Sequence, residues 1–146
     1  MSGLSWPAPG EENPPAIRAG EHRVPFELRD GLIYIQGQVN GTRATLLVDT
    51  GAALTTFTLR VVPTLDTDSL ITINMAKGSV LASRLPVGFI LGDRTSGNRH
   101  CSFHQSAVVG DFKFLYADGL IGEDVLSHFK SVTFDFQNST LILEDR

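Results

Sequence analysis

An aspartate that follows a run of apolar residues is the first candidate for chemistry in this sequence. Asp49 comes directly after Leu46-Leu47-Val48, in the stretch "ATLLVDTGAALT". A carboxylate at the end of a buried strand has a fixed position and reduced contact with water, so it can serve as a general acid or base. An acid in an ordinary surface turn needs no such apolar support. Together with the second motif below, this context leads us to predict that Asp49 is catalytic, with a structural turn as the alternative.

The three residues after Asp49 fit the same interpretation. Thr50 is small and has a hydroxyl that can bond to a neighbouring loop, and Gly51 permits a tight turn behind the acid. Ala52 leaves space beside the carboxylate. We interpret Thr50, Gly51 and Ala52 as support for an active-site loop.

A second motif, "DGLIGEDVL", lies about 70 residues further along the chain and contains two more aspartates. Asp124 is predicted to be an acid in the first turn of a helix, where it interacts favourably with the helix dipole. Asp118 is interpreted as a turn residue beside Gly119. A role for Asp118 as a second catalytic carboxylate within one chain stays open as an alternative.

The segment "HCSFH" raises the question of a metal site formed by His100, Cys101 and His104. On a strand, the two histidines share a face but lie ~13 Å apart, which is too far to bind one ion. Cys101 would point to the opposite face. We predict no metal and no cofactor.

Most of the chain has the alternation and apolar runs typical of β-strands. Residues 1–23 are rich in proline and glycine, so we predict a flexible arm there, followed by one domain at 24–146. Asn40-Gly41 predicts a hairpin turn, and "GEDVLSHF" predicts a single short helix at 122–129. Strands are predicted at 24–28, 32–39 and 43–48, at 99–110, and on both sides of two turns, Lys77-Gly78 within 70–91 and "QNST" near the end of the sequence. Phe112, Phe114 and Tyr116 alternate like one more strand face, and we interpret them as core or pocket wall.

Composition excludes several classes of protein. The chain has 146 residues, 42% of them hydrophobic, with a formal net charge of −4. These values are typical of one globular domain. No basic block is present, so no nucleic-acid partner is predicted. The apolar runs are shorter than the ~18 residues of a membrane span, so none is predicted.

Taken together, the motifs resemble the retropepsin-like aspartic proteases, and bacterial single-domain members in particular. The shared features are a buried strand ending in Asp-Thr-Gly-Ala, a glycine-containing hairpin, and an apolar-apolar-glycine motif before a short helix. The resemblance covers roughly residues 24–145. It implies a mainly β fold, the closed β-barrel of the acid proteases with one short C-terminal helix.

The resemblance also implies an activity. In this family two carboxylates share one proton and activate a water molecule that attacks a peptide bond. Since this chain has one Asp-Thr-Gly, the resemblance implies a homodimer with two copies of Asp49 at its axis, cleaving peptide or protein substrates. Thr50 would brace the two active-site loops across the axis.

The family pattern assigns further residues to substrate binding. Met75, Ala76, Lys77 and Gly78 would form a flap over the substrate, while Leu120 and Ile121 would support the Asp49 loop and line the pocket. The chain departs from viral members at two places, because Ala53 and Glu123 replace an acid and an arginine that form an ion pair there. Two alternatives remain: a non-catalytic member that binds peptides or dimerises, and a small β-barrel module in which Asp49 is structural.

Overall fold

The computed structural model describes residues 20–76, 78–92, 101–113 and 116–146. These residues form ten strands and one helical turn. In chain order they are β1 (Glu21–Arg29), β2 (Leu32–Val39), β3 (Thr42–Val48), β4 (Thr56–Thr58), β5 (Ile71–Met75), β6 (Gly78–Leu91), β7 (Cys101–Gly110), β8 (Gly119–Ile121), α1 (Glu123–Leu126), β9 (Phe129–Asp135) and β10 (Thr140–Asp145). Among the described residues, none of the helical structure is long and apolar enough to cross a membrane.

The strands form a closed ring with a small extension. Neighbouring strands follow the order β6-β7-β4-β8-β3-β2, and β2 pairs with β6 again through Gly37–Val39 and Phe89–Leu91. β1 joins this ring to β10, because its second half pairs with β2 and its first half pairs with β10. The prediction of a mainly β, closed fold with one short helix is therefore confirmed.

The β2–β3 hairpin carries the chain to Asp49. Asn40 and Gly41 have φ values of 48° and 85°, as a tight hairpin turn between right-twisted strands requires. The resulting register places Ile33 opposite Val48. Alternate β3 side chains then face the core, so the strand is buried up to the point where Asp49 begins the next turn.

Two groups of buried side chains stabilise the sheet. The main core lies inside the ring, and its fully buried members include Ile35, Leu46, Phe57 and Ile121. A smaller cluster of Ala82, Val108 and Phe112 lies under the β5–β6 hairpin, against Ile73 and Val80. The hairpin itself is mostly exposed, so this small cluster provides its apolar support.

The structure differs from the predicted elements at three places. α1 has four residues instead of eight, because Phe129 is buried in the core as the first residue of β9 and pairs with Asp145. Phe112 and Tyr116 lie outside any strand, Tyr116 with a φ of 67°, and Phe114 lies outside the described residues. β1 begins at Glu21, so the end of the predicted arm belongs to the sheet, while residues 1–19 are not described.

Candidate active site

A parallel pair of strands, β3 and β8, positions Asp49. The register pairs Leu46 with Gly119 and Val48 with Ile121. The Asp49 amide then donates a hydrogen bond to the Ile121 carbonyl at 2.9 Å. Since both strands end at the same edge, the Asp-Thr-Gly turn and the Gly122 turn lie side by side. The two sequence motifs therefore meet in space.

The Asp49 carboxylate has one engaged oxygen and one open oxygen. Oδ1 accepts a hydrogen bond from the Gly51 amide at 2.9 Å, while Oδ2 has no donor among the described residues. The side chain is half-buried, and Thr50 beside it is exposed. Within the described part of the chain, the Thr50 hydroxyl makes no hydrogen bond either. Both groups are thus available to a water molecule, a substrate or a second chain.

The residues after Asp49 are held by the second motif. The Glu123 amide donates to the Ala52 carbonyl at 2.8 Å, and the Asp124 amide donates to the Ala53 carbonyl at 3.2 Å. A Cβ at position 122 would lie 2.8 Å from the Ala52 oxygen. Gly122 is therefore required for the close approach of these two loops. Ala53 and Glu123 thus lie on two loops that are joined through their backbones.

The contact between Thr55 and Asp124 was not predicted from the sequence. Asp124 does lie in the first turn of α1, as predicted. Its Oδ1 also accepts hydrogen bonds from the Thr55 amide at 2.9 Å and the Thr55 hydroxyl at 2.7 Å. A hydroxyl residue two positions before the buried Phe57 and an acid two positions after Gly122 were the available signals, but only the fold brings them together.

Asp118 lies at the opposite end of β8. Its Oδ2 accepts a hydrogen bond from the Thr45 amide at 2.9 Å, and its Oδ1 lies 3.2 Å from an Arg60 guanidinium nitrogen. Asp49 lies beside Gly122, and Gly122 is four residues beyond Asp118. At strand spacing this separates the two aspartates by ~13 Å. Asp118 is therefore a structural acid, and it is too far from Asp49 to share a proton with it.

An apolar cavity of about 330 Å³ adjoins the Asp49 turn. None of the described residues around it has an ionisable side chain. Its walls come from the loop after the turn, from the β5–β6 hairpin, from β8 and from the smaller core cluster, and they include Ala52, Leu54, Ile73, Met75, Leu120 and Phe112.

The other residues predicted to bind substrate occupy different positions. Ile121 is fully buried in the main core, so it supports the Asp49 amide through its carbonyl and does not line the cavity. Ala76 and Gly78 lie exposed at the end of the hairpin. Lys77 lies outside the described residues.

The structure describes two of the three residues considered as metal ligands in "HCSFH", Cys101 and His104. Cys101 is buried, and this burial, together with the negative charge of Asp145, raises the pKa of its thiol to about 12. His104 is exposed, and His100 is not among the described residues. No group of three potential ligands suited to a metal ion occurs in the described ranges.

Comparison with solved structures agrees with this architecture. A retropepsin-like aspartic protease from Rickettsia conorii matches with a TM-score of 0.57 and 24% identity, over 86% of this chain and 91% of that chain. The retroviral protease-like domain of Ddi1 from Leishmania major matches with a TM-score of 0.53 and 17% identity, over 75% of this chain and 86% of that one. No protein-family model and no curated protein matches the chain. The chain therefore has the fold of the retropepsin-like aspartic proteases.

Proposed function

We propose that the protein is an aspartic endopeptidase in which Asp49 activates the water molecule that attacks a peptide bond. The observation that carries this proposal is the Asp49 carboxylate itself. It follows a buried strand and has one oxygen without a hydrogen-bond donor in the described structure, and the loop that follows it borders an apolar cavity from Ala52 onwards. By contrast, Asp118 on the same pair of strands uses both of its oxygens, with the Thr45 amide and the Arg60 guanidinium.

The second carboxylate comes from a second copy of the chain. The two other aspartates of the motifs are unsuitable, because Asp118 is too distant and Asp124 already accepts hydrogen bonds from Thr55. In a two-fold symmetric dimer, two Asp49 side chains share one proton and one water molecule. One carboxylate removes a proton from the water, while the protonated one donates to the scissile carbonyl. Thr50 is exposed beside Asp49, and in the proposed dimer its hydroxyl bonds across the axis.

The substrate in this proposal is an extended peptide. An apolar side chain next to the scissile bond enters the cavity between Leu120 and Met75. The β5–β6 hairpin acts as a flap that closes over the peptide and excludes water. Among the described residues, its tip includes Met75, Ala76 and Gly78. Exposed Met75 gives this tip an apolar surface for the substrate.

Incubation with a diverse peptide library tests the proposal. We expect internal cleavage, detected by mass spectrometry, that persists in the presence of a chelator. A folded Asp49→Ala preparation serves as the matched control and should yield no cleavage products. Cleavage by Asp49→Ala at the wild-type rate, or loss of wild-type activity on chelation, would contradict the mechanism. Peptide binding by a dimer that never cleaves would favour the non-catalytic alternative.

Dilution tests the requirement for two chains. Because each chain supplies one carboxylate, specific activity should fall as the protein is diluted through its dimer dissociation constant. Analytical ultracentrifugation over the same concentrations gives the fraction of dimer. Full specific activity in a demonstrated monomer would contradict the shared pair of carboxylates.

A further inference from the structure

We propose that Thr55 and Asp124 are positioning residues that set the geometry of the Asp49 turn. This inference rests on the proposed function, because it concerns the placement of the catalytic carboxylate. Neither side chain touches the reacting atoms in this account. Each acts through the backbone on which Asp49 depends.

Thr55 is the centre of a small hydrogen-bond network. It is fully buried. Its hydroxyl donates to Asp124 Oδ1 at 2.7 Å and accepts from the Gly122 amide at 3.0 Å. Its own amide donates to the same Asp124 oxygen at 2.9 Å. The hydroxyl thus uses both its donor and its acceptor capacity to join the strand after the Asp49 turn to the start of α1.

The network reaches Asp49 through two backbone connections. The Gly122 amide donates a hydrogen bond to Thr55. The preceding residue, Ile121, accepts a hydrogen bond from the Asp49 amide through its carbonyl. On the other side of the turn, the Glu123 amide holds the Ala52 carbonyl. A shift of the Gly122 segment therefore moves both ends of the turn that carries the carboxylate. Catalytic geometry is sensitive to such shifts, since a displacement of ~1 Å costs up to about 100-fold in rate.

The electrostatics of Asp124 distinguish this network from an ion pair. Its second oxygen accepts a hydrogen bond from the Gln105 amide group at 3.3 Å. Among the described residues, its donors are neutral and no cation lies within ion-pair distance. Hydrogen bonds to a carboxylate are strong without a cation, and the partly buried site limits screening by salt. The network joins the loops that contain Ala53 and Glu123, the two positions at which the resemblance to viral members would lead one to expect an ion pair.

Two matched substitutions at position 55 test the inference. Thr55→Val keeps the buried volume but removes the hydroxyl, whereas Thr55→Ser removes a methyl group and keeps both hydroxyl hydrogen bonds. Both variants should lose some thermal stability. We expect kcat to fall by about 10-fold to 100-fold in Thr55→Val with KM little changed, and to stay within about threefold of wild type in Thr55→Ser. Equal kcat in wild type and Thr55→Val, measured well below the melting temperature, would overturn the inference.

A second pair of variants tests the acceptor. Asp124→Asn keeps one side-chain oxygen for Thr55, while Asp124→Ala removes both. The asparagine variant should keep most of the activity, and the alanine variant should match Thr55→Val. If both variants are equally impaired or equally active, Asp124 does not position the turn through its bonds to Thr55.

A measurement independent of activity separates this inference from the proposed function. Amide signals of Asp49 and Gly51 in NMR spectra report the geometry of the turn, and hydrogen exchange at Gly122 reports its bond to Thr55. Both should change in Thr55→Val and stay close to wild type in Thr55→Ser. An inactive wild-type protein with these changes would refute the protease and keep the positioning role. Unchanged Asp49 and Gly51 signals in Thr55→Val would refute the positioning role, whatever the activity.

Discussion

Two aspartates at opposite ends of the β3–β8 pair show how position separates a structural acid from a candidate catalytic one. Asp118 lies before β8, and both of its oxygens have partners, Thr45 and Arg60. Asp49 lies after β3, and one of its oxygens has no donor among the described residues. The residue type and the pair of strands are the same. The difference is that the Asp118 carboxylate uses both oxygens to bind its neighbours, whereas the Asp49 carboxylate uses one oxygen and leaves the other without a donor.

This contrast indicates what the fold does for the site. The backbone on both sides of Asp49 is held by hydrogen bonds, from the Asp49 amide to the Ile121 carbonyl and from the Glu123 amide to the Ala52 carbonyl, which restrict the turn. A fixed carboxylate with an unused oxygen is preorganised for chemistry. At the other end, the Asp118 carboxylate itself makes the bonds that hold the strands together.

Alanine substitutions of the two aspartates should therefore have opposite effects. Asp49→Ala should lower kcat/KM by about 10⁴-fold or more, since water activation is lost, with little change in melting temperature. Asp118→Ala leaves the Thr45 amide without its acceptor and should cost about 1–2 kcal/mol of unfolding free energy. Denaturant unfolding and peptide hydrolysis on the same preparations check both effects. If Asp118→Ala abolishes activity in the folded state while Asp49→Ala does not, the assignment of the two acids is wrong.

The close contact at Gly122 provides a test of the support for Asp49. Gly122→Ala would place a Cβ 2.8 Å from the Ala52 carbonyl oxygen and 3.0 Å from the Leu54 carbonyl. We expect a loss of about 1–3 kcal/mol in stability and at least a tenfold loss of kcat. Gly41→Ala is the matched control, because its φ of 85° is strained for alanine but no atom lies within 4 Å of the added Cβ. That control should lose stability alone, and similar kcat losses in both variants would contradict a local effect at the site.

The dependence of activity on pH offers a further test of the open carboxylate. If the proposed dimer is correct, hydrolysis should be fastest in mildly acidic solution and decline on both sides, because the proposed mechanism needs one proton shared by two carboxylates. Asp118→Ala should keep the same profile at temperatures where it is folded. An optimum well above neutral pH would contradict the shared-proton mechanism.

The rate of Cys101 alkylation tests the smallest effect, which is the change in how often the native state unfolds and exposes this buried thiol. Alkylation needs the thiolate, and a thiol pKa of about 12 keeps the native side chain neutral at pH 8. The raised pKa also means that this group loses its contribution to stability as pH rises from about 9 towards 12. At pH 8, labelling should be as slow in Asp49→Ala as in wild type, and about 5-fold to 30-fold faster in Asp118→Ala. Equal labelling of the two variants would show that Asp118 does not stabilise the fold.

The sequence was sufficient to predict the local features that carry their own signals. The Asn40-Gly41 hairpin and the apolar strand before Asp49 are in this group, because turn chemistry and alternation act over a few residues. The closed β fold was expected from the family resemblance, and the ring of strands agrees with it. The roles predicted for the Asp49 loop and for the hairpin tip remain predictions.

The features missed by the sequence analysis depend on distant contacts. The hydrogen bonds between Thr55 and Asp124 join residues 69 positions apart, and nothing local indicates them. The length of α1 was overestimated because the apolar spacing of Val125, Leu126 and Phe129 suits a helix. Pairing of Phe129 with Asp145 in β10 ends the helix after one turn. The side chain of Ile121 points into the core, which only the register of β8 determines.

Mixing wild-type and Asp49→Ala chains tests most directly that two copies of Asp49 form one active site. Wild-type protein is held at a fixed concentration above the dimer dissociation constant, inactive chains are added, and hydrolysis is measured after subunit exchange. Random pairing leaves roughly half of the wild-type activity at equal amounts and roughly a quarter at a threefold excess, because mixed dimers have one carboxylate. Activity that stays constant as Asp49→Ala chains are added, with mixed dimers demonstrated by mass spectrometry, would show that one Asp49 is sufficient and would contradict the account.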